Sequence, residues 1–153
     1  MRGRTWRIAY AHIFTREQLD TISEERETPG WASYLSAPLP KAVTFVAARE
    51  EHVVGFAGVG LARPGDDPSR GELFTIYVLP EEWGRGVGQA LMTQALDCMR
   101  EEGFVEAVLW VLEDNPRTRR FYELAGWRAD GEVKEEEWLG TVVREVRYRI
   151  DLR

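Results

Sequence analysis

The chain has 153 residues, a length typical of one domain with its own hydrophobic core. Hydrophobic residues make up 44% of it and charged residues 30%, as in ordinary globular proteins, and no apolar run is long enough to cross a membrane. The net charge of -6 excludes a global positive field for nucleic acid, and the one cysteine, Cys98, excludes an internal disulfide and fits a reducing compartment. We therefore expect a single domain over residues 1–153 that is cytoplasmic and has neither nucleic-acid nor membrane partners.

The first part of the chain predicts short helices and loops. Residues 15–18 form a capping-box pattern, which starts a helix at about Arg16, and Ser23 could begin another turn. Pro29-Gly30 is expected to break the run. After it, residues 31–35 form a short amphipathic stripe that Pro38 and Pro40 are expected to end.

Three strands are predicted next. Residues 42–49 and 52–62 form a hairpin, and Gly55 and Gly58 in its second strand indicate a bulge or close packing. After a polar loop, Glu72 opens a central strand whose apolar run covers residues 73–79 and stops at Pro80.

A glycine-rich turn follows the central strand. Gly84, Gly86 and Gly88 precede a helical pattern, which leaves the first N–H groups of a helix free and lets a ligand approach the backbone closely. Such a helix N-terminus is suited to a phosphate or pyrophosphate. A dinucleotide-binding turn would need glycine where Gln89 stands, and a P-loop would need a lysine that is absent here. The alternative is a tight strand-to-helix turn without a ligand.

Residues 83–88, Trp-Gly-Arg-Gly-Val-Gly, resemble the acyl-CoA pyrophosphate loop of the GCN5-related N-acetyltransferase (GNAT) superfamily. The usual form of that loop is Gln/Arg-x-x-Gly-x-Gly/Ala, so Trp83 stands where Gln or Arg is commonest. The resemblance implies that acetyl-CoA, the acyl-donor substrate, places its pyrophosphate on backbone N–H groups of the loop. The residues expected to bind it are Arg85, Gly86, Val87, Gly88, Gln89 and Ala90.

The family resemblance also implies a fold. After the central helix, residues 105–112 form a strand, and a strand–helix–strand crossover makes this strand parallel to the central one. The expected fold is α/β (α+β), with a mixed, mostly antiparallel twisted sheet flanked by helices. Its parallel pair is splayed at the acetyl-CoA site. By the resemblance, main-chain groups of Ile76 and Val78 pair with pantetheine, and an N–H near Val78 stabilises the oxyanion.

The second motif covers residues 113–127. Asn115 is the predicted N-cap of a helix that starts at Pro116, and Gly126 is its C-cap. The segment resembles the closing pattern of the family, with Trp127 in place of the last Phe. The resemblance implies that Asn115 touches the pantetheine arm or its neighbouring backbone and that Tyr122 lies beside the sulfur of CoA. Arg119, with Arg117 and Arg120, is expected to face the phosphates. The alternative for Arg117 is a position on a solvated helix face. The alternative for Tyr122 is a packed aromatic side chain without a role in catalysis.

Acetyl transfer to an amine needs a group that removes a proton and a group that protonates the departing thiolate. A phenol of pKa about 10 can protonate a thiolate whose reference pKa is near 8.5, which makes Tyr122 the candidate acid. Glu72 is the candidate base, directly or through water, and the alternative is a solvated strand-end carboxylate. His12 and His52 are further candidates, and no metal ligand set is expected.

The sequence therefore predicts an acetyl-CoA-dependent N-acetyltransferase of the small-molecule, phosphinothricin-like branch. The acceptor would be a primary amine of a small molecule that attacks the thioester directly. Two alternatives stay open: a non-catalytic acyl-CoA-binding module, and an acetyltransferase for protein N-termini or lysines.

The two ends of the domain carry further expectations. Residues 5–10 resemble the end of the family's first helix, and only four residues precede them, so we hypothesise that the first strand and much of the first helix are missing. The alternative is a short strand at residues 6–10. A missing strand would expose the edge of the strand beginning near Ala42, which favours a homodimer or aggregation. At the other end, residues 143–152 should pair with a strand near residues 127–133, with residues 134–140 as the connection.

Overall fold

One six-stranded sheet organises the chain, and the computed structural model describes residues 1–37, 39 and 41–153. Numbered along the chain, the strands lie side by side in the order 1-2-3-4-6-5. The third and fourth strands are parallel, and the other four neighbouring pairs are antiparallel. The predicted mixed, mostly antiparallel sheet is confirmed. The strands are β1 (Val43–Arg49), β2 (His52–Leu61), β3 (Arg70–Val78), β4 (Glu106–Leu112), β5 (Arg128–Trp138) and β6 (Thr141–Asp151).

Five α-helices occur in the described part of the chain: α1 (Arg2–Ala9), α2 (Arg16–Asp20), α3 (Glu24–Ser36), α4 (Val87–Glu101) and α5 (Pro116–Leu124). The predicted capping box is confirmed, because the Thr15 hydroxyl accepts the Gln18 N–H at 3.2 Å while the Gln18 side chain accepts the Thr15 N–H at 2.8 Å. None of these described helices is both long enough and apolar enough to cross a bilayer.

The helical interpretation of residues 6–10 is confirmed. Trp6 lies in α1, and Tyr10 follows in a turn with its N–H bonded to the Trp6 carbonyl at 2.9 Å. The Trp6 ring is buried and stacks on Trp138, with ring centroids 5.3 Å apart. β1 is the first strand in the sheet order, and no described segment pairs with its outer edge. Val46 on that edge strand is 63% exposed.

The expected break at Pro29-Gly30 is wrong. α3 continues through both residues to Ser36. A proline in a helix removes one N–H donor, but a tertiary contact can hold the helix together across it. Here Trp31, the residue after Gly30, packs edge-on against Phe56 of β2, with ring centroids 5.1 Å apart. Pro38 and Pro40, which were expected to end the stripe, lie outside the described residues.

The expected connection at residues 134–140 is also wrong in its extent. β5 runs to Trp138, and its acidic segment pairs with β6, with Lys134 opposite Glu145 and Trp138 opposite Thr141. The turn is the dipeptide Leu139-Gly140, both with positive φ (51° and 80°). Several charged residues in a row suggest a loop, but β5 is the end strand of the sheet, and charged side chains are common on such strands.

The two faces of the sheet are covered by different helices. One core cluster joins Met92 and Leu96 of α4 with Leu109 and Val111 of β4. The next residue of β4, Leu112, instead belongs to a second cluster with the aromatic side chains of α1 and its neighbours. Successive side chains of a strand point to opposite faces. Thus α4 covers one face, while α1 and α2 cover the other near the end of β4.

Candidate active site

A cavity of about 870 Å³ lies where β3 and β4 separate, and its lining comes from α1, β3, the turn before α4, α5 and the β5–β6 hairpin. The parallel ladder begins at Arg70 with Glu106 and ends at Glu72 with Val108. Beyond that point β3 continues to Val78 without pairing with β4. The predicted splay of the parallel pair is confirmed.

The splay leaves backbone groups of β3 without a strand partner. The Leu79 N–H donates to the Val54 carbonyl of the neighbouring β2 at 2.9 Å. Along a strand, the N–H and C=O groups of successive residues point alternately to the two neighbouring strands. Since those of Leu79 point to β2, the backbone groups of Val78 and Ile76 point away from β2, into the gap. The carbonyl of Val78 accepts the indole N–H of Trp83 at 2.9 Å. The N–H of Val78 therefore points into the gap, and its role as an oxyanion donor, which the family resemblance implies, stays a prediction.

The glycine turn forms a bare backbone cradle at the start of α4. Gly84 and Gly86 have φ of 74° and 83°, and a Cβ added at either would meet nothing within 4 Å. A Cβ at Gly88 would approach the Phe121 ring to 3.2 Å. Open space over two left-handed glycines fits a group that lies directly on the main chain.

The first turn of α4 determines which amides are free. The N–H groups of Val87, Gly88 and Gln89 belong to the first helical turn and have no acceptor within the helix. The Ala90 N–H already donates to the Gly86 carbonyl at 3.0 Å. This corrects the expectation that the Ala90 amide belongs to the free set.

Trp83, the departure from the family motif, connects three parts of the site. Its indole N–H binds β3, and the guanidinium of Arg117 from α5 lies 3.3 Å from the centroid of its ring. Arg117 also lines the cavity, but it is exposed to solvent while it stacks on the indole, so the alternative of a solvated helix face stays open. Arg119, by contrast, does not line the cavity. Its side chain donates to the Tyr148 hydroxyl and the Glu113 carbonyl, each at 3.0 Å. We call the free amides of residues 87–89, Arg117 and Trp83 the loop end of the cavity.

Tyr122 lies on the cavity wall and is 7% exposed. Burial, with the nearby Tyr10 and Tyr77, raises the pKa of its phenol well above the ordinary value. Its ring also packs beside Trp127, with centroids 6.4 Å apart. Its hydroxyl makes no side-chain hydrogen bond among the described residues, so Tyr122 is a packed aromatic at the cavity wall. Its role as the acid stays a prediction, and the raised pKa makes its phenol a weaker acid than a free one.

Asn115 lines the cavity beside α1. Its side-chain oxygen caps α5 by accepting the Thr118 N–H at 3.3 Å, as predicted. Its amide group donates to the Tyr10 hydroxyl at 3.5 Å. Both polar groups of the side chain thus hold the protein together at the cavity wall, and its contact with pantetheine stays a prediction.

Glu72 is 2% exposed, so the alternative of a solvated strand-end carboxylate is wrong. It lines the cavity, and Arg63 from the loop after β2 donates to it at 3.2 Å. Burial raises the pKa of the Glu72 carboxyl, against the opposite effect of the Arg63 guanidinium. A base with a raised pKa holds a proton more readily, which suits the predicted role.

A second buried carboxylate was missed by the sequence analysis. Glu145 of β6 lines the cavity and is 4% exposed. Lys134 lies 3.3 Å from Glu145 and 3.0 Å from Glu136, and Arg63 is 4.0 Å from Glu136. Burial raises the pKa of the Glu145 carboxyl, while the ammonium of Lys134 lowers it. No local pattern in the sequence signalled the burial of Glu145. We call the cluster of Arg63, Glu72, Lys134, Glu136 and Glu145 the charged end.

The two histidines lie away from this cavity. His12 contacts the Asp114 carbonyl through its Nε2 atom at 2.7 Å. His52 in the β1–β2 hairpin contacts the Glu50 carbonyl through Nδ1 at 2.9 Å. Neither ring lines the cavity.

Most of the chain matches one family model. Residues 7–127 match the model described as the acetyltransferase (GNAT) family. The chain belongs to the GNAT family. Among solved structures, the PaiA N-acetyltransferase from Thermoplasma acidophilum, crystallised in complex with coenzyme A, superimposes with a TM-score of 0.75 at 17% identity. That match covers 97% of this chain and 87% of the other, and it shows a shared GNAT fold.

Two curated relatives are more similar in sequence. The uncharacterized N-acetyltransferase YuaI of Bacillus subtilis (strain 168) is 33% identical over 113 residues, which are 73% of this GNAT chain and 62% of YuaI. The mycothiol acetyltransferase of Kocuria rhizophila is 36% identical over 69 residues, or 43% of this chain and 23% of that enzyme. The chain thus spans less than two thirds of the length of these relatives.

Proposed function

We propose that this chain is an acetyl-CoA-dependent N-acetyltransferase whose acceptor is a primary amine of a small molecule. One observation carries the proposal: a single cavity joins the loop end, the splay of β3, Tyr122 and the buried Glu72. The coenzyme A complex of a structural relative supports the choice of donor.

The loop end is suited to the pyrophosphate of acetyl-CoA. The free N–H groups of Val87, Gly88 and Gln89 lie at the positive end of the α4 dipole, and that of Arg85 precedes them in the same loop. The guanidinium of Arg117 adds a full positive charge at the cavity wall. In the gap of the sheet, main-chain groups of Ile76 and the N–H of Val78 would bind the pantetheine arm and the thioester oxygen. Asn115 is the expected neighbour of the same arm, and Arg119 stays the more distant phosphate candidate.

The transfer needs two proton movements. The nitrogen of the neutral amine attacks the thioester carbon, an N–C bond forms, and the C–S bond breaks. Glu72 takes the proton that the nitrogen loses, directly or through water. Tyr122 gives a proton to the leaving sulfur, so that the products are an amide and CoA with a free thiol. The Val78 N–H stabilises the negative charge that develops on the carbonyl oxygen.

The form of the cavity supports a small acceptor. α1 contributes Trp6 to its wall, the turn after α1 contributes Tyr10, and the turn of the β5–β6 hairpin contributes Leu139. These elements form walls of the same cavity that Glu72 lines. A peptide acceptor would need an open groove across this region. The test is thiol release from acetyl-CoA with a panel of amino acids, aliphatic amines and aminoglycosides, next to peptides with free N-termini or lysines.

The panel separates the proposal from its alternatives. Turnover with a small amine supports it, and turnover with peptides alone would replace it with protein acetylation. Calorimetric binding of acetyl-CoA without turnover on any acceptor would favour the non-catalytic binding module, which needs neither Tyr122 nor a base.

We also propose that the open edge of β1 pairs with a second copy of the chain. The outer edge of β1 has no described strand partner, and Val46 on it is exposed. Unpaired strand edges template pairing with another strand. Sedimentation should give a dimer that Val46→Lys converts to monomer; a monomeric parent chain would contradict the pairing.

We propose a cytoplasmic location because the chain has only one cysteine, and cell fractionation tests this location.

A further inference from the structure

The charged end carries one more negative than positive charge. Its carboxylates are Glu72, Glu136 and Glu145, and its cations are Arg63 and Lys134. The two cations are shared among the three carboxylates through contacts of 3.0 to 4.0 Å. A ligand with one positive charge would balance the cluster.

One carboxylate oxygen of this cluster has an unused acceptor position. The Oε2 atom of Glu145 is buried and has no hydrogen-bond partner among the described residues. The Lys134 ammonium forms an ion pair with it at 3.3 Å, and it lies closer to Glu136, at 3.0 Å. Leaving a buried carboxylate oxygen without a hydrogen bond costs free energy, and a ligand N–H that reaches it recovers that cost.

The positive charge that fits here cannot belong to the reacting nitrogen. That nitrogen must be neutral when it attacks the thioester, so any cation that stays bound through the reaction is a different group. Resting on the function proposed above, we propose that the acceptor is a molecule with two amino groups. One amine reacts beside Glu72, and the second, as an ammonium, binds the carboxylate of Glu145, which lines the cavity.

The apolar walls of the cavity are consistent with an alkyl ammonium chain. Trp110, Trp138 and Leu139 line the cavity with apolar surface that suits methylene groups. The face of Trp110 already holds an ammonium group, because the Lys134 nitrogen lies 4.5 Å from the ring centroid. An amine with a carboxylate at the same position would meet Glu136 and Glu145, and like charges repel. The ligand class is therefore an aliphatic diamine rather than an amino acid.

The test compares each straight-chain diamine with the alkylamine of the same chain length as acceptors. We measure kcat/KM for both with the full chain, with Glu145→Gln, and with the control Glu135→Gln. Glu135 is on the same strand as Lys134 but is exposed and does not line the cavity. The parent chain should prefer the diamine by roughly tenfold or more, the scale of a desolvated charge contact. Glu145→Gln should reduce this preference to about threefold or less, and Glu135→Gln should keep it.

Several outcomes overturn the proposal. The parent chain could use both amines equally, or Glu145→Gln could keep the preference. Alternatively, the variant could lower kcat for both amines alike and shift the pH profile, which would make Glu145 the base instead. If no amine is acetylated although acetyl-CoA binds, the proposed function fails. Calorimetric titration of the diamine into the CoA-bound chain then tests the Glu145 subsite separately, and equal affinity for diamine and alkylamine would reject it. Circular dichroism and the CoA affinity of each variant show whether it is folded.

Discussion

The loop end and the charged end of one cavity are built in opposite ways. The loop end consists mainly of backbone amides from one continuous segment, residues 87–89 at the start of α4, with Trp83 just before them. The charged end consists of side chains from β3, β5, β6 and the loop after β2, which are up to 82 residues apart between Arg63 and Glu145. A site made of backbone groups depends on local conformation and tolerates a change of side chain. Trp83 is an example, because it stands where Gln or Arg is commonest in the family and the backbone cradle is still formed.

The two ends also differ in what desolvation does to them. Amides in the first turn of a helix need an acceptor, and a pyrophosphate satisfies them with no protein charge being buried. At the charged end, burial raises the pKa of Glu72 and of Glu145, so each carboxylate is ionised at a cost in free energy. Such groups lower protein stability and gain from a cationic ligand. The following variants test this contrast.

The largest expected effect is at Tyr122, on the cavity wall. Tyr122→Phe should lower kcat by roughly 10²-fold while CoA affinity stays nearly the same, because only the proton donor to sulfur is lost. Steady-state kinetics and calorimetry measure the two quantities. Tyr34→Phe on α3, outside the cavity, is the control. Full turnover by Tyr122→Phe would leave this tyrosine as a packing residue.

A change in the backbone cradle should act mainly on affinity. Gly86→Ala places a Cβ at φ of 83° in the open space of the loop, and we expect the Kd of acetyl-CoA to rise at least tenfold, about 1.4 kcal/mol. Gly140→Ala is the matched control, with φ of 80°, equally open surroundings and a position outside the cavity. It imposes the same backbone strain, so a similar loss of affinity there would mean that strain and not the cradle is responsible.

The arginines of α5 give a smaller effect that sharpens the description of the loop end. Arg117→Gln should raise the Kd of CoA roughly three- to tenfold, and less at high salt, because it removes one charge that faces phosphate. Arg119→Gln should change Kd less and lower the melting temperature more, since Arg119 binds the Tyr148 hydroxyl and the Glu113 carbonyl. A reversed order would return the phosphate contact to Arg119, as the family resemblance implies.

The smallest expected effect is a gain in stability at the charged end. Burial raises the pKa of Glu145 above its ordinary value of 4.5, so the folded state binds this proton more tightly than the unfolded state. The stability that protonation gives is fully present below pH 4.5 and is lost as the pH rises through the folded pKa. Glu145→Gln should therefore raise the melting temperature at neutral pH by a few degrees, and the gain should vanish in acid.

Melting curves of the parent chain and the variant across the pH range measure this difference. Lys134 keeps a carboxylate partner in the variant, because Glu136 is 3.0 Å away. A lower melting temperature at neutral pH would mean that the pair of Lys134 and Glu145 outweighs the cost of burying the carboxylate.

Where the signal was local, the sequence determined the structure well. The capping box at Thr15, the N-cap Asn115 and the glycine turn all depend on backbone conformation within a few residues, and each was found as predicted. The helical spacing of Trp6 and Tyr10 also identified α1 correctly. For the same reason the loop end could be predicted almost completely, apart from the Ala90 amide and the stacking of Arg117 on Trp83.

Only the tertiary structure decided the charged end. Lys134 and Glu136 have the sequence character of a loop, and they became part of β5 because β6 offered a partner strand. Pro29-Gly30 predicts a break, but α3 continues through it and Trp31 packs against Phe56. Glu145 resembles any surface glutamate until the pairing of β6 with β4 buries it at the cavity. The burial of a side chain and its ion pairs depend on residues that are distant in the sequence, so no local sequence pattern predicts them.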